Sequence, residues 1–367
     1  MPDAREKVAR WTGEARIGDL LLAHYRLRLE GAVPVGGVIR LDTRQGSFAL
    51  KRAGEGGERR WREVEELGKH LFAAKAIRIP IPLRTRSGRL TFAGYVHNYV
   101  LLPWIAGKPI AFARPRDFQD VSRGLARLHE GARGFPLLSK GADIRASWIR
   151  LWEKAIQRMG LYRVAVEWSG RSVDVDSVLR DAAPYAEGMI TNALQYLHRT
   201  QVDSLSPEVA LQGRVCHGNL HGGNLLRDEQ GSVRFIDWNR MAWDARARDV
   251  AQWLLYAYGR TGDLDLLGLL LQDYQHANPL REEELYLIYA LFLYPHRLVR
   301  VLDRIYGEQS LPPNQAASHL MQAVSAEEKK FPLLRGFPHL VKETLGRSLP
   351  RVDWLERVSG NAGGFRR

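Results

Sequence analysis

One segment of this 367-residue chain constrains its fold more than any other, because it sets two oxygen-bearing side chains on loops that a hairpin joins. The segment reads His217-Gly218-Asn219-Leu220-His221-Gly222-Gly223-Asn224, then turns at 228–231 and continues as Val233-Arg234-Phe235-Ile236-Asp237-Trp238. The hairpin is expected to bring Asn224 and Asp237 together. Amide, carboxylate and phosphate oxygens are the ligands that Mg²⁺ prefers, so the segment predicts a magnesium site that handles phosphate.

Phosphoryl transfer also needs a lysine on the phosphates and a residue that orients the attacking nucleophile. Lys51, at the end of a strand-like run, is the natural lysine. A carboxylate on the following helix is expected to hold it. Glu63, Glu65 and Glu66 are the candidates, and Glu63 is favoured.

The first third of the chain indicates a small antiparallel sheet with one helix. Glycines at Gly36, Gly37 and Gly46 flank two strand-like runs, which is typical of a hairpin. Apolar residues at helical spacing follow over 58–74, and prolines close that helix. Two further strand-like runs, 89–93 and 96–102, precede a predicted hinge at 103–107.

The rest of the chain indicates helices, which one strand-like insert at 214–237 interrupts. Helical patterns cover 118–129, 148–159, 178–197 and 249–345. The sequence therefore predicts an α+β protein with an N-terminal lobe over 1–103, a large helical lobe over 104–345 and a basic tail over 346–367. Lys51 is expected to face Asp237 across the cleft between the lobes.

Composition favours a soluble protein without a membrane partner. Hydrophobic residues are 45% and charged residues 26% of the chain, and the start shows no apolar stretch. The longest apolar run, 286–294, is too short to span a bilayer. We therefore expect a cytoplasmic location. The single cysteine, Cys216, excludes disulfides within the chain and is expected to be a small buried residue.

The formal net charge of +13 restricts the partners. A solvated basic surface, a polyanionic partner and an anionic substrate all agree with it. A strongly cationic protein is a poor receptor for a polycation, because like charges repel at long range. Nucleic acid ranks last among the partners, since the chain shows no recognised nucleic-acid motif.

Residues 217–224 resemble the catalytic loop of the aminoglycoside and choline phosphotransferase group, whose pattern is His-Gly-Asp-Leu-His-x-x-Asn. Ile236-Asp237-Trp238 resembles the metal-binding element of that group, and Asp249-Val250-Ala251 resembles its loop-bracing element. The resemblance implies a two-lobed, protein-kinase-like fold that uses ATP and Mg²⁺. Asn224 and Asp237 would be the metal ligands, and Lys51, Glu63, Gly36 and Gly37 would lie at the nucleotide. His217, His221 and Asp249 would brace the loop.

Within that group, the chain is most similar to the CotS-type spore coat proteins of endospore-forming bacteria. The similar stretches are 25–52, 99–107, 125–129, the catalytic segment and 293–295. This branch implies a spore coat location and coat proteins as partners, as an alternative to an unknown small-molecule acceptor.

The chain departs from the group at Asn219, which stands where the general-base aspartate is expected. An amide does not accept the hydroxyl proton as a carboxylate does, and general-base assistance is typically worth roughly 10²–10⁴-fold. The sequence therefore favours an ATP- and Mg²⁺-binding protein with impaired or absent transfer, a pseudokinase. An active phosphotransferase with a neutral or anionic hydroxyl substrate is the first alternative, and a polyanion-binding structural protein is the second.

Overall fold

The computed structural model of the chain describes residues 4–136, 147–169, 174–202, 212 and 214–357. In these residues, the chain forms two compact units. The first comprises Met1–Ala111, Glu130–Lys140 and His217–Met241, and the second comprises Phe112–His129, Gly141–Cys216 and Ala242–Arg367. The segment with Asn224 and Asp237 thus belongs to the unit of the N-terminal sheet, whereas the sequence boundaries put it in the helical lobe.

The first unit is built on an antiparallel sheet, as predicted, and this sheet has five strands. Its strands are β1 (Leu29–Val35), β2 (Val38–Thr43), β3 (Gly46–Arg52), β4 (Thr91–Ala93) and β5 (Asn98–Pro103), in the order β1-β2-β3-β5-β4. Gly36 and Gly37 form the two-residue turn between β1 and β2, and Gly36 has a φ of 57°. Such a turn needs positive φ, which glycine adopts without steric cost.

Sequence patterns missed β1, because this strand is mostly exposed and contains residues that are rare in strands. Gly31 and Pro34 both lie within it, and its side chains do not alternate between buried and exposed. Its pairing with β2 makes it a strand.

Three helices accompany this sheet: α1 (Ala4–Thr12), α2 (Ile17–Tyr25) and α3 (Gly57–Ala73). The first two contribute to a buried apolar cluster with the strands, through Val8, Ile17 and Leu21. Helix α3 buries Trp61, Val64, Leu67 and Leu71 among its residues, which is the spacing that predicted it.

A buried carboxylate fastens the turn between α1 and α2 to the tip of the β4–β5 hairpin. Glu14 is fully buried and accepts hydrogen bonds from the backbone N–H groups of Tyr95 at 2.8 Å, Val96 at 2.7 Å and His97 at 3.2 Å. Burial alone raises the pKa of this carboxyl, but the three backbone donors outweigh it, so the net pKa is lowered.

We expect Glu14→Gln to destabilise the protein by about 2 kcal/mol at neutral pH, because hydrogen bonds to a charged group contribute about 1.5–3 kcal/mol each and the amide keeps part of them. A carboxyl group whose pKa is lower in the folded than in the unfolded protein stabilises the folded state at pH values above its unfolded pKa, about 4.3. It loses this contribution as the pH falls further. Urea unfolding across pH 3–7 measures this.

The difference between Glu14→Gln and the unaltered protein should therefore shrink below about pH 4. Glu6→Gln, on the exposed face of α1, is the control and should change little. A difference that is independent of pH would contradict the ionised state of Glu14.

A second sheet explains why the catalytic-loop segment belongs to the first unit. Its strands are β6 (Gly107–Pro109), β8 (Leu225–Asp228) and β9 (Val233–Phe235), in the order β6-β8-β9. Strand β6 pairs Gly107 with Asp228 and Pro109 with Leu226. The predicted hinge at 103–107 is therefore continuous with a strand of this unit. Two short strands, β7 (Val215–Cys216) and β10 (Ala242–Trp243), pair with each other in the second unit.

The second unit is helical, as predicted. Its elements are α4 (Pro115–Gly131, whose last two residues belong to the first unit), α5 (Trp148–Ser169), α6 (Asp174–Thr200), α7 (Ala247–Thr261), α8 (Leu264–Ala277), α9 (Glu282–Leu293), α10 (His296–Leu302), a π-turn (Asp303–Gly307), α11 (Pro313–Leu345) and α12 (Asp353–Arg357). The predicted tail after residue 345 contains α12, and its last part, 358–367, lies outside the described residues.

In the described ranges, no single helix has both the length and the apolar character needed to cross a membrane. The pair Glu282–Leu293 and His296–Gly307, bent by 47° at a short break, passes that test by length and composition when taken together.

Candidate functional site

The structure joins the predicted phosphate lysine and the predicted metal ligand in one ion pair. Lys51, near the end of β3, contacts the carboxylate of Asp237 through Nζ and Oδ1. Both side chains are largely shielded, with 13% of Lys51 and 31% of Asp237 exposed. Because the two residues are 186 positions apart, this contact is strong support for the predicted arrangement.

Asp237 has an unusual backbone conformation, with φ 68° and ψ 59°, at the start of a 3₁₀ turn over Trp238–Arg240. This left-handed conformation costs a residue with a side chain roughly 1–2 kcal/mol, and aspartate is one of the few residues that visit it routinely. The indole of Trp238 is buried and donates to the carbonyl of Phe235 at 2.9 Å, and its ring packs edge-on against His217. The buried tryptophan thus fixes the chain on either side of Asp237.

The catalytic-loop-like segment is held by its two histidines. His217 is fully buried, and its Nε2 bonds the carbonyl of Ile236 at 2.8 Å while its Nδ1 accepts from the backbone N–H of Asn219 at 3.3 Å. Since one ring nitrogen donates and the other accepts, the ring is neutral. His221 is exposed and accepts from the backbone N–H of Gly223 at 3.1 Å. Both rings therefore contact the loop backbone.

Asn224 is 5% exposed and links the loop to the strand end that carries Asp237. Its side-chain NH₂ donates to the backbone carbonyl of Asn219 at 2.8 Å. The backbone carbonyl of Asn224 accepts from the N–H of Ile236 at 3.0 Å. The NH₂ is thus engaged, while no donor among the described residues contacts Oδ1. A hard amide oxygen and a carboxylate on adjoining loops fit Mg²⁺, the ion that Asn224 and Asp237 would hold.

Asn219, at the predicted position of the general base, is half-buried. Its backbone is held on both sides, since its N–H donates to His217 and its carbonyl accepts from Asn224. A change of its side chain therefore leaves these two loop hydrogen bonds available.

The three glutamates that sequence reasoning offered to Lys51 contact other cations in the structure. Glu63, the favoured candidate, is 1% exposed and pairs with Arg60 at 3.1 Å. Glu65 pairs with Arg84 and with Lys69, and Glu66 pairs with Lys69 at 2.6 Å. For Glu63 and Glu66 the reason lies in helix geometry, because a basic residue three positions away reaches a glutamate more easily than a strand lysine does. Glu65 is reached in addition by Arg84 from outside the helix.

Asp249 contacts the side chain of His129, also in the helical unit, and the predicted bracing of the loop by Asp249 stays a prediction. His129 bonds Oδ2 of Asp249 at 3.1 Å through Nε2 and the hydroxyl of Tyr274 at 2.7 Å through Nδ1, and burial lowers the pKa of this histidine.

Cys216 lies in the same buried region. Its thiol sulfur, an imidazole nitrogen of His129 and a carboxylate oxygen of Asp249 all lie within 4.8 Å of one another. Burial raises the pKa of the Cys216 thiol well above its usual range, and this thiol donates to the carbonyl of Ala245 at 3.1 Å. His129 and Asp249 are thus hydrogen-bonded to each other, and the thiol of Cys216 is engaged with a backbone carbonyl. Cys216 is buried, as predicted.

Comparison with solved structures identifies the fold as that of kinase-like small-molecule phosphotransferases. An aminoglycoside phosphotransferase from Alicyclobacillus acidocaldarius is similar with a TM-score of 0.68 at 17% identity, over 86% of this chain and 93% of that one. A spectinomycin phosphotransferase in its AMP-bound complex is similar with a TM-score of 0.64 at 15% identity, over 87% of this chain and 98% of that one. The predicted protein-kinase-like fold is thereby confirmed.

Sequence comparison then identifies the family. The profile of the family described as "Spore coat putative kinase YutH" matches residues 18–337, and the chain belongs to this family. The endospore coat-associated protein YutH of Bacillus subtilis (strain 168) is 25% identical over 281 residues, which cover 75% of this chain and 79% of that protein. The resemblance to spore coat proteins is thus confirmed.

Proposed function

We propose that this spore coat family member binds ATP with Mg²⁺ and that its phosphotransfer is absent or slow. The observation that carries the proposal is the site in the first unit, where Lys51, Asn224 and Asp237 are retained and Asn219 replaces the base. Lys51 would contact the phosphates, and Asn224 and Asp237 would hold the metal. Bound Mg²⁺ neutralises charge on the phosphates.

The ion pair between Lys51 and Asp237 supports nucleotide binding rather than opposing it. In the free protein each charge has the other as partner. When nucleotide and metal bind, the phosphates give Lys51 a new counter-charge and Mg²⁺ gives Asp237 another. Gly36 and Gly37, in the exposed β1–β2 turn, leave the backbone room to approach a phosphate. Glu63 would take part in nucleotide binding through its contact with Arg60.

Residual transfer is the second candidate function, and the intact lysine and metal ligands favour it. Positioning and electrostatics supply most of the catalysis in phosphoryl transfer, so loss of the base lowers the rate without removing the chemistry. Such an enzyme would act on a neutral or anionic hydroxyl compound. The family relationship supports a location in the spore coat, with coat proteins as partners.

We expect the chain to confer no aminoglycoside resistance, because these drugs are polycations and the chain carries a net charge of +13. Expression in a sensitive bacterium, followed by a drug-tolerance measurement, tests this. ATP consumption by the purified protein, with aminoglycosides and with neutral and anionic hydroxyl compounds, tests the proposed function in parallel. A large rise in tolerance that disappears with Lys51→Ala would contradict the charge argument. ATP consumption at about 1–100 per second, the ordinary range of kinases, would contradict impaired transfer.

A further inference from the structure

A buried arginine of helix α3 contacts the chain just beyond the candidate metal ligand. Arg60 is 6% exposed, and its Nη1 donates to Oε2 of Glu63 at 3.1 Å and to the backbone carbonyl of Met241 at 2.6 Å. One guanidinium nitrogen therefore joins α3 to the segment that starts at Asp237. No sequence motif marks this residue.

The carbonyl that Arg60 binds ends the 3₁₀ turn after Asp237. Met241 is fully buried, and its N–H donates to the carbonyl of Trp238 at 3.1 Å, which closes the turn. A buried carbonyl needs a partner, and a hydrogen bond from a charged donor is stronger than one from a neutral donor. Arg60 thus fixes the far end of a turn whose first residue has the left-handed backbone conformation.

Glu63 fixes the orientation of the guanidinium. Its carboxylate is 1% exposed and contacts Arg60, and the more exposed Arg59 reaches its other oxygen at 3.7 Å. Glu63 is thereby engaged within its own helix, while Lys51 pairs with Asp237. Through Glu63 and Arg60, helix α3 is joined to the segment that begins at Asp237.

We propose that Arg60 is a positioning residue that holds the backbone of Asp237 in the geometry for metal binding, with Glu63 orienting Arg60. The inference rests on the proposed binding of nucleotide with Mg²⁺. Arg60 binds the last carbonyl of the turn over residues 237–241, and it acts through this turn. Removal of a group that orients a metal ligand typically costs roughly 10–100-fold in metal affinity.

Calorimetric titration with ATP, once with Mg²⁺ and once with EDTA, tests this on the full chain. Arg60→Met, which keeps the apolar stem, should weaken binding in Mg²⁺ by roughly 10–100-fold and leave binding in EDTA unchanged. Arg60→Lys should restore part of the loss, since a lysine supplies charge but a single point of contact. Arg59→Met is the matched control. It removes a neighbouring arginine that also contacts Glu63, and it should leave both affinities unchanged.

Two outcomes would overturn the inference: Arg60→Met binding Mg²⁺ and ATP like the unaltered protein, or losing affinity equally with and without Mg²⁺. If Arg60→Met does not fold, Arg60→Lys and Glu63→Gln decide, and each should show a smaller loss confined to Mg²⁺. Failure of the proposed function itself would look different, because the unaltered protein would then bind no nucleotide in either buffer.

Discussion

Asp237→Ala should remove the effect of Mg²⁺ on nucleotide binding. The change deletes the proposed charged metal ligand, and loss of a direct ligand should exceed the loss of an orienting partner. We therefore expect the affinity for ATP in Mg²⁺ to fall by at least roughly 100-fold, the upper limit for orienting partners. Binding in EDTA should be retained or improved, because Lys51 loses its intramolecular counter-charge and remains available to phosphate. Calorimetry in the two buffers measures both affinities.

Two companion variants separate the metal effect from a folding defect. Asp237→Asn removes the charge and keeps a residue that tolerates the left-handed backbone, whereas alanine there adds strain. Asp19→Ala removes an exposed carboxylate that pairs only with a surface arginine, Arg16, among the described contacts. Asp237→Asn should resemble Asp237→Ala, and Asp19→Ala should resemble the unaltered protein. Retained dependence on Mg²⁺ in both Asp237 variants would exclude Asp237 as the ligand.

Asn219→Asp should raise turnover if the protein has an acceptor pocket. A carboxylate at this position accepts the hydroxyl proton of the acceptor, and such assistance is worth roughly 10²–10⁴-fold. The affinity for ATP should stay roughly constant, because the base contacts the acceptor hydroxyl rather than the nucleotide. Radiolabelled phosphate transfer to a panel of neutral and anionic hydroxyl compounds measures the rate, and calorimetry measures the affinity.

Asn219→Ala is the control for this gain, because it alters the same side chain without adding a base. The loop hydrogen bonds of residue 219 use its backbone atoms, so both variants should keep the loop conformation. Asn219→Asp without gain on any acceptor, and with only water accepting phosphate, indicates that the acceptor pocket is lost. An equal gain in Asn219→Ala would contradict a role for the carboxylate.

Two pairs of residues in the candidate site could be predicted from the order of motifs along the sequence. The order of hairpin, helix, proline stop and hinge indicates a two-lobed kinase-like fold, and this fold predicts that Lys51 faces Asp237. The hairpin between Asn224 and Asp237 followed from the turn residues alone. The turn is a local pattern, whereas the contact between Lys51 and Asp237 joins residues 186 positions apart and follows from the fold.

Sequence patterns do not predict which cations pair with the carboxylates of α3. Glu63 and Glu65 are both buried, and each has cations within one turn of helix. The choice of cation depends on tertiary packing. Arg84, which pairs with Glu65, lies in a loop distant in sequence, and Arg60, which pairs with Glu63, is held by the carbonyl of Met241. Strand β6 was missed for a similar reason. Gly107, Lys108 and Pro109 are exposed and show no alternation, and their pairing with β8 defines the strand.

The most direct test of the account is calorimetry of the unaltered protein with ATP, in the presence and absence of Mg²⁺. We expect binding at millimolar concentration or better that tightens when Mg²⁺ is present, because Asn224 and Asp237 would supply oxygen ligands and Lys51 would contact the phosphates. Absence of any ATP binding at millimolar concentration with Mg²⁺ would contradict it and would leave the kinase fold as a scaffold.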